Sequence, residues 1–359
     1  MIQGLIRRLT GRSRARVLYL HVGPHKTGTT SIQACLRRNA ARLAKEGYVY
    51  PVTPRADGII LRNHSPLASL GASSAAPLGS DGPWRSIAEL LARHDGPVVL
   101  STELFAGAFR APRALGRVVD LAERHGYRVE ALAYVRDQPA WLNSWYAQIQ
   151  KRLEASIGLR GFVESAARRG LVDPWAYLKP YLDEPRMTLQ VVSFERAIEA
   201  GLERDFLARI GLPRPEDVPV IRHANPNPGA KTVFAAQRIM ARSPVAPVRL
   251  PHHASAERAF RSAYEGLDWA ARPYVGFDAA TADAIRARYA EGNERLADRF
   301  FSATWRELAP AKTTERSVYD PRAATPAERR EMRDVVEKVR ALLGAETLSE
   351  APAPQKARA

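Results

Sequence analysis

The chain carries one cysteine, Cys35, in 359 residues. A single thiol cannot form an intramolecular disulfide, which argues against a disulfide-stapled secreted domain, and it leaves no thiolate pair for a structural zinc site. The eight histidines show no metal-ligand spacing, and His252-His253, in a proline-flanked loop, reads as a solvated pair. No apolar run is long enough to span a bilayer. Zinc-finger motifs, RNP-type motifs and internal repeats are all missing. Acid is scarce: 38 Asp and Glu stand against 54 Lys and Arg, a net charge of +16. That balance suits an anionic small molecule or an acidic polysaccharide, and without a recognition motif it does not specify nucleic acid. With 45% hydrophobic and 26% charged residues, the chain can bury a large core in one elaborated domain.

The richest segment runs from Leu18 to Ser31. Val17 to Val22 is an apolar run that reads as a buried parallel strand. A glycine-bearing turn follows, then helical spacing at Ile32, Cys35, Leu36 and Leu43, ending near Gly47. Strand, tight turn and helix N-terminus together make an anion site, because free N–H groups and the helix dipole converge there. Lys26 adds a full charge, and Thr27, Thr29 and Thr30 add hydroxyls. A nucleoside-triphosphatase loop would read G-x-x-x-x-G-K-[ST]. Gly23 and Gly28 fit that spacing, but Thr29 stands where the lysine belongs and Lys26 precedes the second glycine. The charge is therefore displaced, and a magnesium ligand is not assured.

Pro24-His25-Lys26-Thr27-Gly28-Thr29-Thr30 resembles the 5′-phosphosulfate-binding loop of sulfotransferases that use 3′-phosphoadenosine 5′-phosphosulfate (PAPS). The resemblance implies that His25, Lys26, Thr27, Gly28, Thr29 and Thr30 bind the co-substrate, with Lys26 also acting in catalysis. A second motif lies about a hundred residues downstream. Val129 to Val135 reads as a strand, Asp137 as a helix N-cap, and Pro139 as part of a first helical turn. Arg136 thus ends a strand and Ser144 lies on the next helix. By the same resemblance, this pair holds the 3′-phosphate, a task for which the arginine fork is suited. The residues alone also allow an Arg136–Asp137 pair and a serine bonded back to its own helix.

Between the motifs, Val98 to Ser101 reads as a third strand, flanked by Gly96-Pro97, with Glu103 just past its carboxyl end. In the family, this position carries the catalytic base, here in its glutamate version. A strand-end carboxylate paired with an arginine is the plainer alternative. Asn63-His64-Ser65 resembles a motif that some bacterial members carry near the acceptor pocket, so His64 is a second catalytic candidate. His223-Ala224-Asn225-Pro226-Asn227 loosely resembles a later asparagine-bearing loop, but the expected serines are absent. Met187 to Glu195 reads as a strand, followed by a helix over 196–210 with Ile198, Leu202, Phe206, Leu207 and Ile210 on its apolar face.

The expected fold class is α/β: a mostly parallel sheet with helices on both faces, in the P-loop-type sulfotransferase manner. Residues 1–15 form a flexible basic leader, or alternatively a weak membrane-surface helix too short for a signal peptide. Residues 16–305 form the sulfotransferase-like domain, with irregular insertions near 53–95 and 242–278. A terminal core helix falls in 279–301, with Ile285, Tyr289, Leu296 and Phe300 buried. Residues 306–344 form an extension with one amphipathic helix, opened by the capping box Thr325 to Glu328 and carrying Met332, Val335, Val336, Val339 and Leu342 on one face. That helix can dock on the core or on a second copy in a homodimer, and 345–359 form a disordered tail.

The implied function is sulfuryl transfer from PAPS to an acceptor hydroxyl, with a carbohydrate or anionic glycan as the preferred acceptor, no metal and no specific nucleic acid. The expected location is cytoplasmic, or peripheral at the inner membrane face. A P-loop kinase or nucleotide-binding enzyme, and a catalytically silent nucleotide-binding protein, are the alternatives.

Overall fold

The structure is a computed structural model that describes residues 15–54, 60–61, 63–69, 77–111, 113–220, 228–241, 253–311 and 318–349. They fall into two compact units: Met1–Asp137, Gly170–His223 and Tyr289–Ala311 in the first, and Gln138–Arg169, Ala224–Arg288 and Lys312–Ala359 in the second. The basic leader, the loop around His223 and the tail beyond Ser349 lie outside the described residues.

The first unit is built on a four-stranded parallel sheet. Its strands are β1 (Val17–His21), β2 (Val98–Ser101), β3 (Arg128–Val135) and β4 (Met187–Ser193), arranged in the order β2-β1-β3-β4. Register runs Leu20↔Leu100 between β1 and β2, Leu20↔Ala131 between β1 and β3, and Val135↔Ser193 between β3 and β4. The strands read as near-continuous apolar runs because both faces are covered. Leu18, Leu20, Leu100, Ala131 and Val135 join a core built with the helices Gly82–Arg93, Ala114–Arg124, Pro174–Leu182 and Ala290–Phe300. Val17, Tyr19, Val99, Leu132 and Tyr134 join another, packed with α1 (Thr29–Arg38) and the helix Leu202–Arg209. Helices on both faces of a parallel sheet make this an α/β unit.

Several sequence expectations change in detail. The helix expected from Thr29 to Gly47 breaks at Asn39, whose side-chain amide donates to the Cys35 carbonyl at 2.9 Å. A further short helix, Ala40–Lys45, follows. The helix expected over 196–210 begins at Phe194, capped by Ser193, and is interrupted at Gly201 (φ 90°). That break turns Ile198 outward, where it is 52% exposed, while Phe206 is fully buried. The span 53–95, expected to be irregular, holds the helix Gly82–Arg93, with Trp84 donating from Nε1 to the Leu67 carbonyl at 2.9 Å. Its Gly-Pro start hid it in the sequence, although proline is well placed in a first turn. The terminal core helix is two helices, broken at Tyr289, with Leu296 buried and Ile285, Tyr289 and Phe300 only half-buried.

The second unit is helical. Its elements include α2 (Gln138–Lys151), α3 (Ala230–Met240), the helix His253–Tyr264 within the span 242–278, and α4 (Pro326–Ser349). Its core gathers Ile239, Met240, Phe260 and Trp269 with Met332, Val335, Val336 and Val339. The capping box is formed: the Thr325 N–H donates to Glu328 Oε2 at 2.8 Å, and the Glu328 N–H to Thr325 Oγ1 at 3.2 Å. α4 runs past Gly344 to Ser349, into the stretch expected to be disordered. Among the described residues no helix is long and apolar enough to cross a membrane.

The break at Gly201 has a measurable consequence. Ile198→Lys should change unfolding free energy by no more than about 0.5 kcal/mol, whereas Phe206→Ala should cost about 3–5 kcal/mol. Urea titration of both variants checks this, and a large loss in Ile198→Lys would restore a continuous helix with Ile198 inside.

Candidate functional site

β1 lies between β2 and β3, and the chain leaves β1 toward β2 but leaves β3 toward β4. The crevice at the carboxyl ends of β1 and β3 is therefore a topological switch point, where open α/β sheets take their ligands. The segment from Val22 to Gly28 and the residue Arg136 both lie at these strand ends.

The turn is tightly specified. Lys26 (φ 65°) and Gly28 (φ 81°) both adopt the left-handed conformation. Gly28 is the N-cap of α1, and a Cβ there would lie 2.0 Å from Leu202 Cδ2. Glycine is thus required by backbone and by space together. Thr27 is buried, and its hydroxyl donates to the Pro24 carbonyl at 2.7 Å, closing the loop on itself. α1 starts without a side-chain cap and without an acidic residue in its first turn. Its second residue position from the cap carries no compensating anion, so the positive end of the dipole stays open to a ligand. Thr29, 5% exposed, has a buried hydroxyl with no hydrogen-bond partner. Thr30 is exposed beside it. A buried orphan hydroxyl at an uncapped helix start is what an anion would satisfy.

Arg136 is drawn onto this loop. Its Nη1 donates to the Lys26 carbonyl at 3.0 Å, its guanidinium lies 5.0 Å from the Phe194 ring centre, and its Nε is 3.6 Å from Glu195 Oε1. Burial lowers its pKa, and Glu195 and Asp137 oppose that shift. The arginine is therefore a strut for the loop as well as a candidate phosphate ligand, and its carboxylate partner in space is Glu195. Glu103 lies in the turn after β2, half-buried, with Oε1 3.9 Å from His25 Nδ1. His25, Lys26, Thr27, Gly28, Thr29, Glu103 and Arg136 are thus brought to one end of one sheet. Ser144 lies half-buried on α2. The motif that contains it crosses, in the chain, from the first unit to the second at Gln138.

His64 is placed differently from an exposed acid–base group. It is fully buried, and both ring nitrogens are engaged by backbone. Nδ1 accepts from the Ser101 N–H at 2.9 Å, and Nε2 donates to the Pro51 carbonyl at 2.9 Å. Burial pulls its pKa down to about 4, against the raising effect of the Pro51 and Ser101 contacts. Its neighbour Ser65 approaches Thr102 Oγ1 at 3.3 Å, so this turn buttresses the strand end that carries Glu103.

Sequence reasoning passed over His21. It closes β1, is fully buried, and burial pulls its pKa down to about 3. Nδ1 is 2.8 Å from Ser101 Oγ, which Gln33 Nε2 also approaches at 3.3 Å. Nε2 is buried without a partner, and a Cβ on Gly23 would lie 3.5 Å from it. The available signal was a histidine ending an otherwise apolar strand. Cys35 is buried, with its thiol pushed up to about 11 by burial, and suits a packing role. Among the described residues no group of three or more His, Cys, Asp or Glu could hold a metal ion. No protein-family model, curated protein or solved structure matches this chain.

The buried neutral histidines make stability depend on pH with a definite sign. Each has a folded pKa below its unfolded value, so the unfolded chain binds more protons between the two. Their stabilisation is present above about pH 6.5 and is lost as pH falls toward 4, at about 1.4 kcal/mol per pH unit per histidine. His64→Gln should be less stable at pH 7, yet its stability should fall less steeply from pH 6.5 to 5. Urea unfolding at both values measures the slope; an unchanged slope would mean that His64 titrates normally in the fold.

Proposed function

We propose that this protein transfers a sulfuryl group from PAPS to an acceptor hydroxyl, on a carbohydrate or glycan, within a P-loop-type sulfotransferase fold. The observation that carries the reading is the start of α1: a left-handed Gly28, an uncapped first turn and the buried, unsatisfied Thr29 hydroxyl. In this reading the 5′ end of the co-substrate meets the α1 N–H groups and the Thr29 hydroxyl, and the Arg136/Ser144 motif reads the 3′-phosphate. Lys26 neutralises charge that builds on the leaving phosphate oxygen as the S–O bond to it breaks. Glu103 accepts the proton of the acceptor hydroxyl as its oxygen forms the new S–O bond. Its place after β2, only half-buried, keeps the carboxylate accessible to an acceptor. A basic chain, at +16, favours both the anionic donor and an anionic glycan. No metal takes part in this scheme, and the reaction is assigned to the cytoplasm.

Ligand binding separates this reading from a kinase. Adenosine 3′,5′-bisphosphate at a hundredfold excess over its Kd should stabilise the protein by about 2.7 kcal/mol without magnesium. Mg-ATP at the same concentration should do much less. Equal stabilisation by Mg-ATP would favour the kinase. Arg136→Ala should weaken the bisphosphate by about 1.5–3 kcal/mol more than adenosine 5′-phosphate, which lacks the 3′ group. Because Arg136 also holds the Lys26 carbonyl, both ligands should lose some affinity, and an equal loss in calorimetric titration would leave Arg136 as a loop strut only.

Turnover tests the base. Glu103→Gln should keep nucleotide binding and lose about a hundredfold to ten-thousandfold in kcat with a competent acceptor. His64→Asn, a change at a buried backbone-bonded ring, should lower stability far more than it lowers kcat in the folded fraction. Near-normal turnover in Glu103→Gln together with a folded but dead His64→Asn protein would transfer the base to His64. Full nucleotide binding with no transfer to any acceptor, in the unaltered protein, would favour a catalytically silent protein.

A further inference from the structure

The second unit holds a cleft of about 510 Å³ between α3 and α4. Its apolar side is made by Phe234, Met332 and Val336. Around it stand five arginines: Arg238, Arg322, Arg329, Arg333 and Arg340, with Glu337 as the one carboxylate among the lining residues. Arg238 lies over the Phe234 ring at 5.0 Å, and Arg340 donates to the Arg238 carbonyl.

We propose that this cleft binds a small amphiphilic anion: an aryl or short alkyl body that carries a phosphate or sulfate head. Arg186 shows how acid answers an arginine in this chain, meeting Asp120, Glu123 and Glu184. Four arginines of the cleft have no such answer among the described residues. The side chains of Arg238, Arg322, Arg329 and Arg333 form no ion pair with a carboxylate among the described residues. The acids near the start of α4 are used elsewhere: Glu328 and Glu331 lie 3.0 and 3.6 Å from Lys231 Nζ, and Glu331 also accepts from Trp269 Nε1. In sequence, the neighbouring segments outside the description carry at least as much base as acid: residues 242–252 contain Arg242 and Arg249 and no carboxylate, 312–317 contain Glu315 against Lys312 and Arg316, and 350–359 contain Glu350 against Lys356 and Arg358.

A cluster of like charges around an apolar wall is electrostatically unfavourable until an anion enters. Guanidinium forks suit tetrahedral oxyanions, which can accept several N–H bonds at once. The apolar side rewards a ligand with a hydrocarbon body, and the volume falls in the range of small-molecule sites. Lone phosphate would leave Phe234, Met332 and Val336 in contact with water, and a neutral arene would leave Arg238, Arg322, Arg329 and Arg333 without an anion.

Calorimetric titration of the full chain with 1-naphthyl phosphate and 1-naphthyl sulfate tests the proposal, with 1-naphthol and inorganic phosphate as the partial probes. Either ester should bind at least tenfold more tightly than both partial probes. The double variant Arg329→Gln, Arg333→Gln replaces two exposed side chains, so it should keep the melting temperature and lose at least tenfold in ester affinity. Saturating adenosine 3′,5′-bisphosphate should leave ester binding unchanged, which separates this cleft from the β1 loop whether or not that loop binds nucleotide. Equal binding of naphthol or of inorganic phosphate, or full ester affinity in the double variant, would overturn the proposal. So would binding to phosphatidic acid vesicles with no binding of either soluble ester, since the cleft would then face a lipid surface.

Discussion

Gly28 is the point on which the candidate site depends. A methyl group on its Cα would lie 2.0 Å from Leu202 Cδ2 and 3.3 Å from the Phe194 ring. Phe194 in turn carries the Arg136 guanidinium, which holds the Lys26 carbonyl. The turn out of β1 is therefore fastened by residues that follow β3 and β4, far away in sequence. Holding Lys26 in the left-handed region costs free energy, which glycine at position 28 does not incur, and the turn persists because packing on several sides over-determines it. What the strain provides is direction: the first N–H groups of α1 face the crevice rather than being folded under a side-chain cap.

Behind this turn the protein uses neutral polar groups where charge would be expensive. His21, Gln33, Ser101 and His64 form a buried group in which both histidines are held uncharged by burial. Protonating either would place a charge in a poorly solvated site with nothing opposite it. Left neutral, His64 ties the backbone of Ser101 to Pro51, and that bridge fixes the strand end beside which Glu103 emerges. His64, the second acid–base candidate in the sequence, is thus engaged by backbone at both ring nitrogens, while the Glu103 carboxylate two positions past Ser101 stays half-exposed.

The sequence made the sheet legible because these parallel strands, covered on both faces, appear as largely apolar runs: Val17 to Val22, Val98 to Leu100, and Val129 to Val135 with Glu130 as its one charged residue. The Lys26-to-Thr30 loop was equally visible, since glycine and threonine at those spacings have few other uses. Helix interruptions were not visible. Asn39, Gly201 and Tyr289 end helices that the apolar spacing alone would continue, because a cap or a left-handed turn needs tertiary neighbours to decide it. Partners across long separations were equally hidden. Asp137 was the obvious carboxylate for Arg136, being adjacent, yet the geometry gives that role to Glu195, fifty-nine positions later.

The Arg136–Glu195 pair constrains how an anion can be held here. In a poorly solvated setting the two charges largely cancel, and Asp137 next in the chain adds a further negative charge. An arginine already neutralised offers a fork of N–H donors more than it offers net charge. The net positive potential at the crevice must then come from Lys26 and from the open start of α1, where no acid stands in the first turn. In the proposed reading, charge and direction are divided between the two strand ends: the β1 side would attract an anion, and the β3 side would orient it. A substitution that removes the arginine takes away orientation and loop support together, whereas one that blocks the Thr29 hydroxyl leaves orientation intact and closes the only buried donor at the helix start that the fold leaves unsatisfied among the described residues.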